Sequence, residues 1–347
     1  MTEPTGTVEV SSESTPAAAT GMPSWQHRAR ALLAPATGLL ALLVIAAITT
    51  PHFYSASVIQ LVLFQIGLIG VTALGQTFVL LVAGIDLSVG GVTGLTTVII
   101  AVQTGGDAAA LPGALLLALG AGILVGLVNA GLVLLRDVPP FVATFAVFVL
   151  IQGVVIAWTK GAPSGNVPGE MAWMGTGKLL GVPTPAWFFL ALAVATWWVL
   201  SRSTAGRRIY ATGGNRRAAQ LSGIRTWMVI ASCYVLCAVL AVLTGLVNAG
   251  YVGYVDAQLS RTLDLNSIAA AVVGGVGLAG GRGRIEQTVL GVLLLAVMLT
   301  WLIQLGAGAG AQMLVSGIVI LGAVWLQSGP VRPPRALRAI FVKGQAS

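Results

Sequence analysis

The residue whose chemistry fits its surroundings least is Asp86, a carboxylate in the segment AGIDLSVGG at residues 83–91, with long apolar runs on both sides. A charged side chain at the centre of a bilayer costs about 3 kcal/mol on insertion scales. Glycine-flanked, irregular backbone is tolerated at that depth only where it faces protein or a water-filled cavity. The segment therefore predicts a polar site inside a membrane protein. A compatible interpretation is that Asp86 caps a short helix beginning at Leu87 or Ser88 and contacts no solute.

Further polar or aromatic side chains lie within the apolar runs and are candidates for an internal polar route. They are Gln65, Gln76, Thr77, Ser88, Asn129, Phe141, Thr144 and Gln152. Any single polar one of these could instead make a hydrogen bond between helices, worth about 0.6 kcal/mol on average. As a set they favour a polar route through the protein over a solid bundle.

The composition fixes the class of protein. The chain has 347 residues, of which 56% are hydrophobic and 8% charged, and its mean hydropathy is +0.93. Soluble domains carry roughly 25% charged residues. We therefore predict an all-α, polytopic integral membrane protein with no large soluble domain.

Ten apolar runs predict about ten transmembrane helices. They cover residues 31–49, 56–82, 88–103, 113–135, 141–158, 186–201, 227–250, 265–280, 285–304 and 311–327. A full span needs roughly 20 residues, so we expect the third, sixth and eighth runs to be tilted, broken or re-entrant. Eight crossings with two re-entrant runs would also place both termini on the same side.

The net charge is +8, and most of the basic residues lie in three places: just before the first run, in residues 202–226 and in the C-terminal tail. This is the distribution of the positive-inside rule, and it predicts that these segments and both termini are cytoplasmic. No aromatic-basic platform of the kind that binds nucleic acid accompanies the arginines, so we expect no nucleic-acid partner. We predict a disordered tail at 1–30, a membrane domain at 31–327 and a basic tail at 328–347.

Residues 202–226 carry a local helix signal. Gly213 and Gly214 predict a turn, Asn215 is a good N-cap, and the segment Arg216 to Leu221 suits a short helix that ends at Gly223. A short cytoplasmic helix of this kind could be gripped by a soluble partner. The alternative is an ordinary positively charged loop.

Three apparent chemical motifs are set aside. Gly275-x-Gly277-x-x-Gly280 ends a membrane-length apolar run instead of following a strand, so its glycines favour close packing or a helix break. Lys178 follows Gly177 but lacks the other residues of a phosphate loop. The two cysteines, Cys233 and Cys237, are too few ligands for a metal site. We predict no metal, no cofactor and no catalytic residue.

Four segments, in order, resemble the permease subunits of bacterial ABC importers for monosaccharides, the ribose/xylose/galactose and autoinducer-2 group. They are GIDLSVG at 84–90, Asn129 followed by PFVAT at 140–144, the stretch from Gly206 to Ile224, and the glycine-rich stretch 269–283. The similarity covers about residues 55–327. The chain departs from the family pattern at Ala83, at Phe145-Ala146 and at Val276-Gly277, close to the expected pathway.

The resemblance implies a permease of the bacterial plasma (inner) membrane that is not itself an enzyme. It implies a cytoplasmic ABC ATPase subunit, a second permease subunit, identical or not, and an extracytoplasmic binding protein that delivers a sugar. The pathway residues it implies are Gln76, Asp86, Ser88, Asn129, Phe141 and Thr144. The residues it implies for coupling to the ATPase are Gly214, Asn215, Arg216, Arg217, Ala218, Ala219, Leu221 and Gly223.

Two other functions fit parts of the sequence. A gradient-driven secondary transporter could use Asp86 as an ion or proton site, because broken helices at the bilayer midplane are typical of that class. A related ABC permease for nucleosides or branched-chain amino acids would share most of the motifs.

Overall fold

The computed structural model describes residues 24–162, 164–254 and 262–327. The predicted C-terminal tail lies outside these residues, as does the predicted N-terminal tail up to residue 23, whereas residues 24–30 belong to the first helix. The helices are α1 Ser24–Thr49, α2 Ala56–Leu81, α3 Val89–Thr104, α4 Leu111–Leu135, α5 Pro140–Thr159, α6 Ala172–Thr176, α7 Thr184–Arg202, α8 Thr204–Gly214, α9 Arg216–Leu221, α10 Thr226–Val252, α11 Leu263–Gly274, α12 Ile285–Gln304 and α13 Ala309–Gln327. A short β-hairpin joins α6 to α7, and each of its strands, β1 Lys178–Leu179 and β2 Val182–Pro183, has two residues.

The ten predicted apolar runs correspond to ten apolar helices. Seven of these, α1, α2, α4, α5, α7, α10 and α12, are long and apolar enough to cross a bilayer, and α3, α11 and α13 are shorter. The expectation that the sixth run is short is wrong, because α7 has 19 residues. The eighth run is broken as expected: α11 has only 12 residues and covers about 18 Å at 1.5 Å per residue.

The connections between helices gather at two ends of the bundle. At one end, Gly281 N donates to Leu81 O at 2.9 Å, which joins the α11–α12 connection to the end of α2. We call this the arginine-rich end, because α8 and α9 also lie there. At the opposite end, Thr104 Oγ1 donates to Asn166 O at 3.2 Å and Val167 N donates to Gly253 O at 3.0 Å.

The short helix α3 runs from one end to the other. It begins beside α5 at the arginine-rich end, where Leu87 N donates to Thr144 Oγ1, and it finishes beside Asn166 at the opposite end. The third run is therefore a crossing helix and not a re-entrant one. Together with the seven long helices α3 makes eight crossings, and the choice between eight and ten depends on the short helices α11 and α13.

Helix α10 lies at the centre of the bundle and packs against α2, α3 and α4. Glycines permit the close approach: a Cβ on Gly126 of α4 would lie 2.7 Å from Val235 Cα, and one on Gly75 of α2 would lie 3.1 Å from Cys237 Cα. Helices in a bilayer associate through such small residues, because lipid offers no hydrophobic drive for association. Tyr234 of α10 is fully buried as a result.

Candidate functional site

A break in the chain between α2 and α3 carries Asp86. We call residues 82–88 the Asp86 break. Ala83 has a φ of +60°, the left-handed conformation that glycine adopts more readily. Gly84 leaves no room for a side chain, since a Cβ there would lie 2.6 Å from the Tyr234 hydroxyl. Helix α3 begins at Val89, so the expected start at Leu87 or Ser88 is wrong by one or two residues.

Asp86 holds the backbone at the entrance to α3. Its Oδ1 accepts hydrogen bonds from Ser88 N at 2.8 Å, from Ser88 Oγ at 2.6 Å and from Asn129 Nδ2 at 3.4 Å. Asn129 Nδ2 also donates to Ser88 Oγ at 2.8 Å. The bond to Ser88 N is the local turn that Asp side chains commonly make two residues ahead. Asp86 thus fixes the turn before α3 and ties it to α4.

Two more side chains hold the same break. Thr144 Oγ1 accepts from Leu87 N at 3.0 Å and lies 3.2 Å from Ile85 O. With its amide oriented so that each atom faces a complementary partner, Gln76 donates to Asp86 O at 3.2 Å and accepts from Asp86 N at 3.1 Å. Side chains of α2, α4 and α5 therefore all hold the break.

Five of the six pathway residues predicted from the sequence come together here: Gln76, Asp86, Ser88, Asn129 and Thr144. Each has an exposed fraction of 0%. Asp86 Oδ2 and Asn129 Oδ1 have no hydrogen-bond partner among the described residues. In this conformation the cluster is a closed network, and its contact with a solute stays a prediction.

Phe141 does not join the cluster. It lies on the outer surface of α5 with 55% of its area exposed, and its ring stacks on Phe145 at a centroid distance of 6.3 Å. Sequence reasoning also missed Tyr234, whose hydroxyl lies against Gly84. Its only sequence signal was a polar atom within an apolar run.

The basic segment, residues 203–225, folds as two short helices. Ser203 Oγ accepts from Gly206 N at 3.1 Å at the start of α8. Asn215 Oδ1 accepts from Ala218 N at 3.0 Å at the start of α9, so the predicted N-cap is confirmed. Gly223, with a φ of +79°, follows α9 as predicted. The predicted turn at Gly213 and Gly214 is wrong, because these residues form the last turn of α8.

Most of the predicted coupling residues are accessible. Arg216, Arg217 and Ala218 are exposed, and Leu221 is 84% exposed. Ala219 is buried instead and anchors the helix, since its carbonyl accepts from Ile224 N at 3.0 Å. The segment contains no acidic residue. It presents positive charge around one apolar side chain.

The Asp86 break and the basic segment lie next to each other. A cavity of about 320 Å³ lies between part of the break and part of the basic segment. It is lined by residues 82–84 of the break, Val133 of α4, residues 137–140 at the start of α5, residues 212–216 of the basic segment, and Ile230 and Tyr234 of α10. The basic segment therefore lies within the width of one cavity of the break that carries Asp86.

Comparison with known proteins identifies the family. Residues 58–324 match the family described as "Branched-chain amino acid transport system / permease component". The chain is 36% identical over 305 residues to the ribose import permease protein RbsC of Escherichia coli K12, covering 87% of this chain and 94% of that protein. It is 35% identical over 298 residues to the ribose import permease protein RbsC of Bacillus subtilis, covering 85% and 92%.

A third relative is the autoinducer 2 import system permease protein LsrC of Salmonella paratyphi B, which is 32% identical over 292 residues, covering 83% of this chain and 84% of that protein. No solved structure matches the chain. The matched region contains the Asp86 break, the basic segment and nine of the ten apolar helices in full or nearly so. The chain therefore belongs to this family of transport permeases.

Proposed function

We propose that this chain is the permease subunit of an ATP-driven ABC importer that moves a monosaccharide, delivered by an extracytoplasmic binding protein, across the bacterial inner membrane. The observation that carries the proposal is the similarity to ribose import permeases over 87% of the chain. The chain supplies the passage, and ATP hydrolysis belongs to a separate subunit.

The basic segment suits a docking site for that ATPase. Its helix α9 is capped at both ends by local interactions, so it is preformed and loses little entropy on binding. Arg216 and Arg217 offer charge to an acidic groove, and Leu221 offers an apolar anchor. Charges at such a surface guide the partner, and a buried apolar anchor supplies affinity.

The sugar pathway needs a second permease subunit in this proposal. The polar cluster around Asp86 is closed, whereas Phe141 and Phe145 are exposed on one face of α5 at 55% and 49%. An aromatic face is a suitable surface for the apolar side of a sugar ring. A second copy or a close relative facing α5 would enclose these rings, with the Asp86 break supporting the pathway from behind.

Two other functions have one observation each in their favour. The description of the matched family names branched-chain amino acids, which supports an amino acid as the solute. Asp86 Oδ2 has no hydrogen-bond partner among the described residues, which leaves an acceptor for an ion in a gradient-driven transporter. The second function is weakened by the three hydrogen bonds that Asp86 Oδ1 already accepts.

The deciding experiment is to purify the tagged chain in mild detergent, with and without crosslinking, and to identify its companions by mass spectrometry. We expect an ABC ATPase to co-purify, and ATP depletion to abolish ribose uptake in cells while ionophores have little direct effect. A preparation without an ATPase, together with uptake that collapses on adding ionophore, would favour the gradient-driven transporter. Competition of uptake by leucine instead of ribose would favour the amino-acid solute.

A further inference from the structure

We propose that movement of the basic segment reaches the Asp86 break by direct backbone contact through Gly213, the penultimate residue of α8. The inference rests on the proposed function, since it names the route by which an ATPase bound at α9 would act on the membrane helices. Gly213 and its neighbours are thus positioning residues for transport.

Gly213 makes this contact because it has no side chain. A Cβ at Gly213 would overlap the carbonyl oxygen of Leu81, the last residue of α2, and would lie 2.7 Å from Gly281 N. Gly281 N itself donates to Leu81 O at 2.9 Å. Three segments of backbone, from α8, from the end of α2 and from the α11–α12 connection, therefore meet with no side chain between them. We call this meeting point the glycine junction.

The contact continues into the break. A Cβ on Gly280 would lie 2.8 Å from both Cβ and N of Ala83, and 3.0 Å from Gly213 O. Ala83 precedes Asp86 by three residues, and Gln76 binds both backbone groups of Asp86. A displacement at Leu81 or Ala83 cannot be absorbed by side-chain rotation, because close-packed backbone is not compressible on that scale. It is passed to Asp86.

A second bond ties α8 to the same connection. Tyr210 Oη donates to Gly283 O at 2.8 Å. Burial raises the pKa of Tyr210, so the phenol stays a neutral donor. Helix α8 is therefore fastened at two points to residues 280–283, and it moves with them as one body.

The cavity beside the junction gives α8 and α9 room to move. It lies between the basic segment and the α4–α5 connection, and its walls include Asp137, Pro139 and Arg216. One side of α8 is thus fixed to the break while another faces open space. A helix that transmits movement needs one side in firm contact and another side that is free to move.

The test compares two alanine substitutions in complexes reconstituted with the ATPase and the binding protein. Gly213→Ala places a methyl group in the junction. Gly131→Ala is the matched control, because Gly131 is also helical and a Cβ there meets nothing within 4 Å. For Gly213→Ala we expect unchanged membrane level, unchanged ATPase co-purification and a fall of about tenfold in binding-protein-stimulated ATP hydrolysis, within the range of coupling effects. Gly131→Ala should behave like the wild type.

Stimulated hydrolysis of Gly213→Ala within about twofold of the wild type would overturn the inference, because coupling residues shift it further. Loss of the ATPase from Gly213→Ala would also overturn it, since Gly213 would then act in docking. If Gly213→Ala fails to reach the membrane, Tyr210→Phe becomes the deciding variant, because it adds no volume and removes the hydrogen bond to Gly283 O. Reduced binding-protein-stimulated ATP hydrolysis in Tyr210→Phe would support the route through the glycine junction, and full stimulation would refute it. Absence of an ATPase from the wild type would instead refute the proposed function before any variant is compared.

Discussion

The three side-chain hydrogen bonds of Asp86 fall on one carboxylate oxygen. Oδ1 accepts three hydrogen bonds, whereas Oδ2 has no partner among the described residues although the side chain is fully buried. A buried polar atom without a partner costs about 1–3 kcal/mol. Whether the carboxylate does more than cap the turn stays a prediction, which a neutral side chain of the same shape can test.

Replacement of Asp86 by Asn separates capping from charge. The amide oxygen of the new side chain could still accept from Ser88 N, so we expect Asp86→Asn to reach the membrane at the wild-type level. Loss of the negative charge should reduce uptake by about tenfold, a coupling effect of about 1.4 kcal/mol. The measurements are immunoblots of membranes and initial uptake rates. Ser88→Ala, which removes one donor to Oδ1, is the control, and unchanged uptake in Asp86→Asn would reduce Asp86 to a replaceable cap.

Ala83 is the second residue whose conformation has an energetic cost that can be measured. Its φ of +60° is strained for a residue with a Cβ. We expect Ala83→Gly to relieve this strain and to raise the stability of the detergent-solubilised protein by about 0.5–1 kcal/mol, after the greater unfolded-state entropy of glycine is subtracted. A thermal-shift measurement checks it. A lower melting temperature would mean that contacts of the Ala83 methyl group outweigh the strain.

The polar cluster could be predicted from sequence, and the orientation of individual residues could not. Buried polar groups in a bilayer must find partners, so Gln76, Asn129 and Thr144 converge on Asp86. Phe141 offered no such constraint, because an aromatic ring is stable against protein, lipid or another subunit. Apolar residues lie on every side of α5, so the hydrophobic periodicity of its sequence does not reveal which face is buried.

At the scale of elements, local sequence signals predicted the ends of α9 correctly, whereas tertiary packing overrode such signals at the end of α8. The N-cap Asn215 and the terminating Gly223 act within four residues of the helix and depend little on the rest of the fold. Gly213 and Gly214 have turn propensity, but the contact with Leu81 stabilises them as the end of a helix. Tertiary contact therefore decided this boundary, which local signals placed incorrectly.

The exposed arginines of α9 give a prediction for this element. Replacing Arg216 and Arg217 by Glu should abolish ATPase co-purification and reduce uptake by about tenfold or more, because glutamates would then face the acidic groove that we propose on the partner. Arg207→Glu with Arg208→Glu makes the same charge change at exposed positions of α8 and measures how far α8 shares the docking surface with α9. Normal co-purification and uptake in the α9 variant would refute the docking assignment.

At the scale of the whole molecule, the connections alternate between two ends of unequal charge. Arginines of the basic segment and of residues 282–284 lie at one end, while Lys160 and Lys178 are the lysines of the connections at the other end in the part of the chain that the structure describes. Long apolar runs and arginine placement predicted this arrangement from sequence. The close contact between distant connections, such as Leu81 with Gly281, could not be predicted, because nothing local specifies it.

The charge difference predicts an orientation that thiol labelling can measure. The native Cys233 and Cys237 are buried, each 1% exposed, so they give little background. We expect a membrane-impermeant maleimide to label Leu180→Cys in intact cells and Ser222→Cys only in inverted vesicles. Both positions are exposed on the protein surface, at opposite ends. Labelling of Ser222→Cys from outside the cell would reverse the orientation.

The glycine junction has a consequence for how such a transporter can diversify. Its contacts are made by main-chain atoms, which every amino acid carries, so exchanging side chains along the passage leaves them as they were. A related protein could therefore acquire a new solute through substitutions along the passage alone, while the glycine junction that connects the passage to the ATPase stays unchanged. The requirement is that the glycines of the junction, Gly213 above all, keep no side chain. We expect random mutagenesis to accept substitutions freely around the passage while recovering almost no transport-competent clone altered at Gly213.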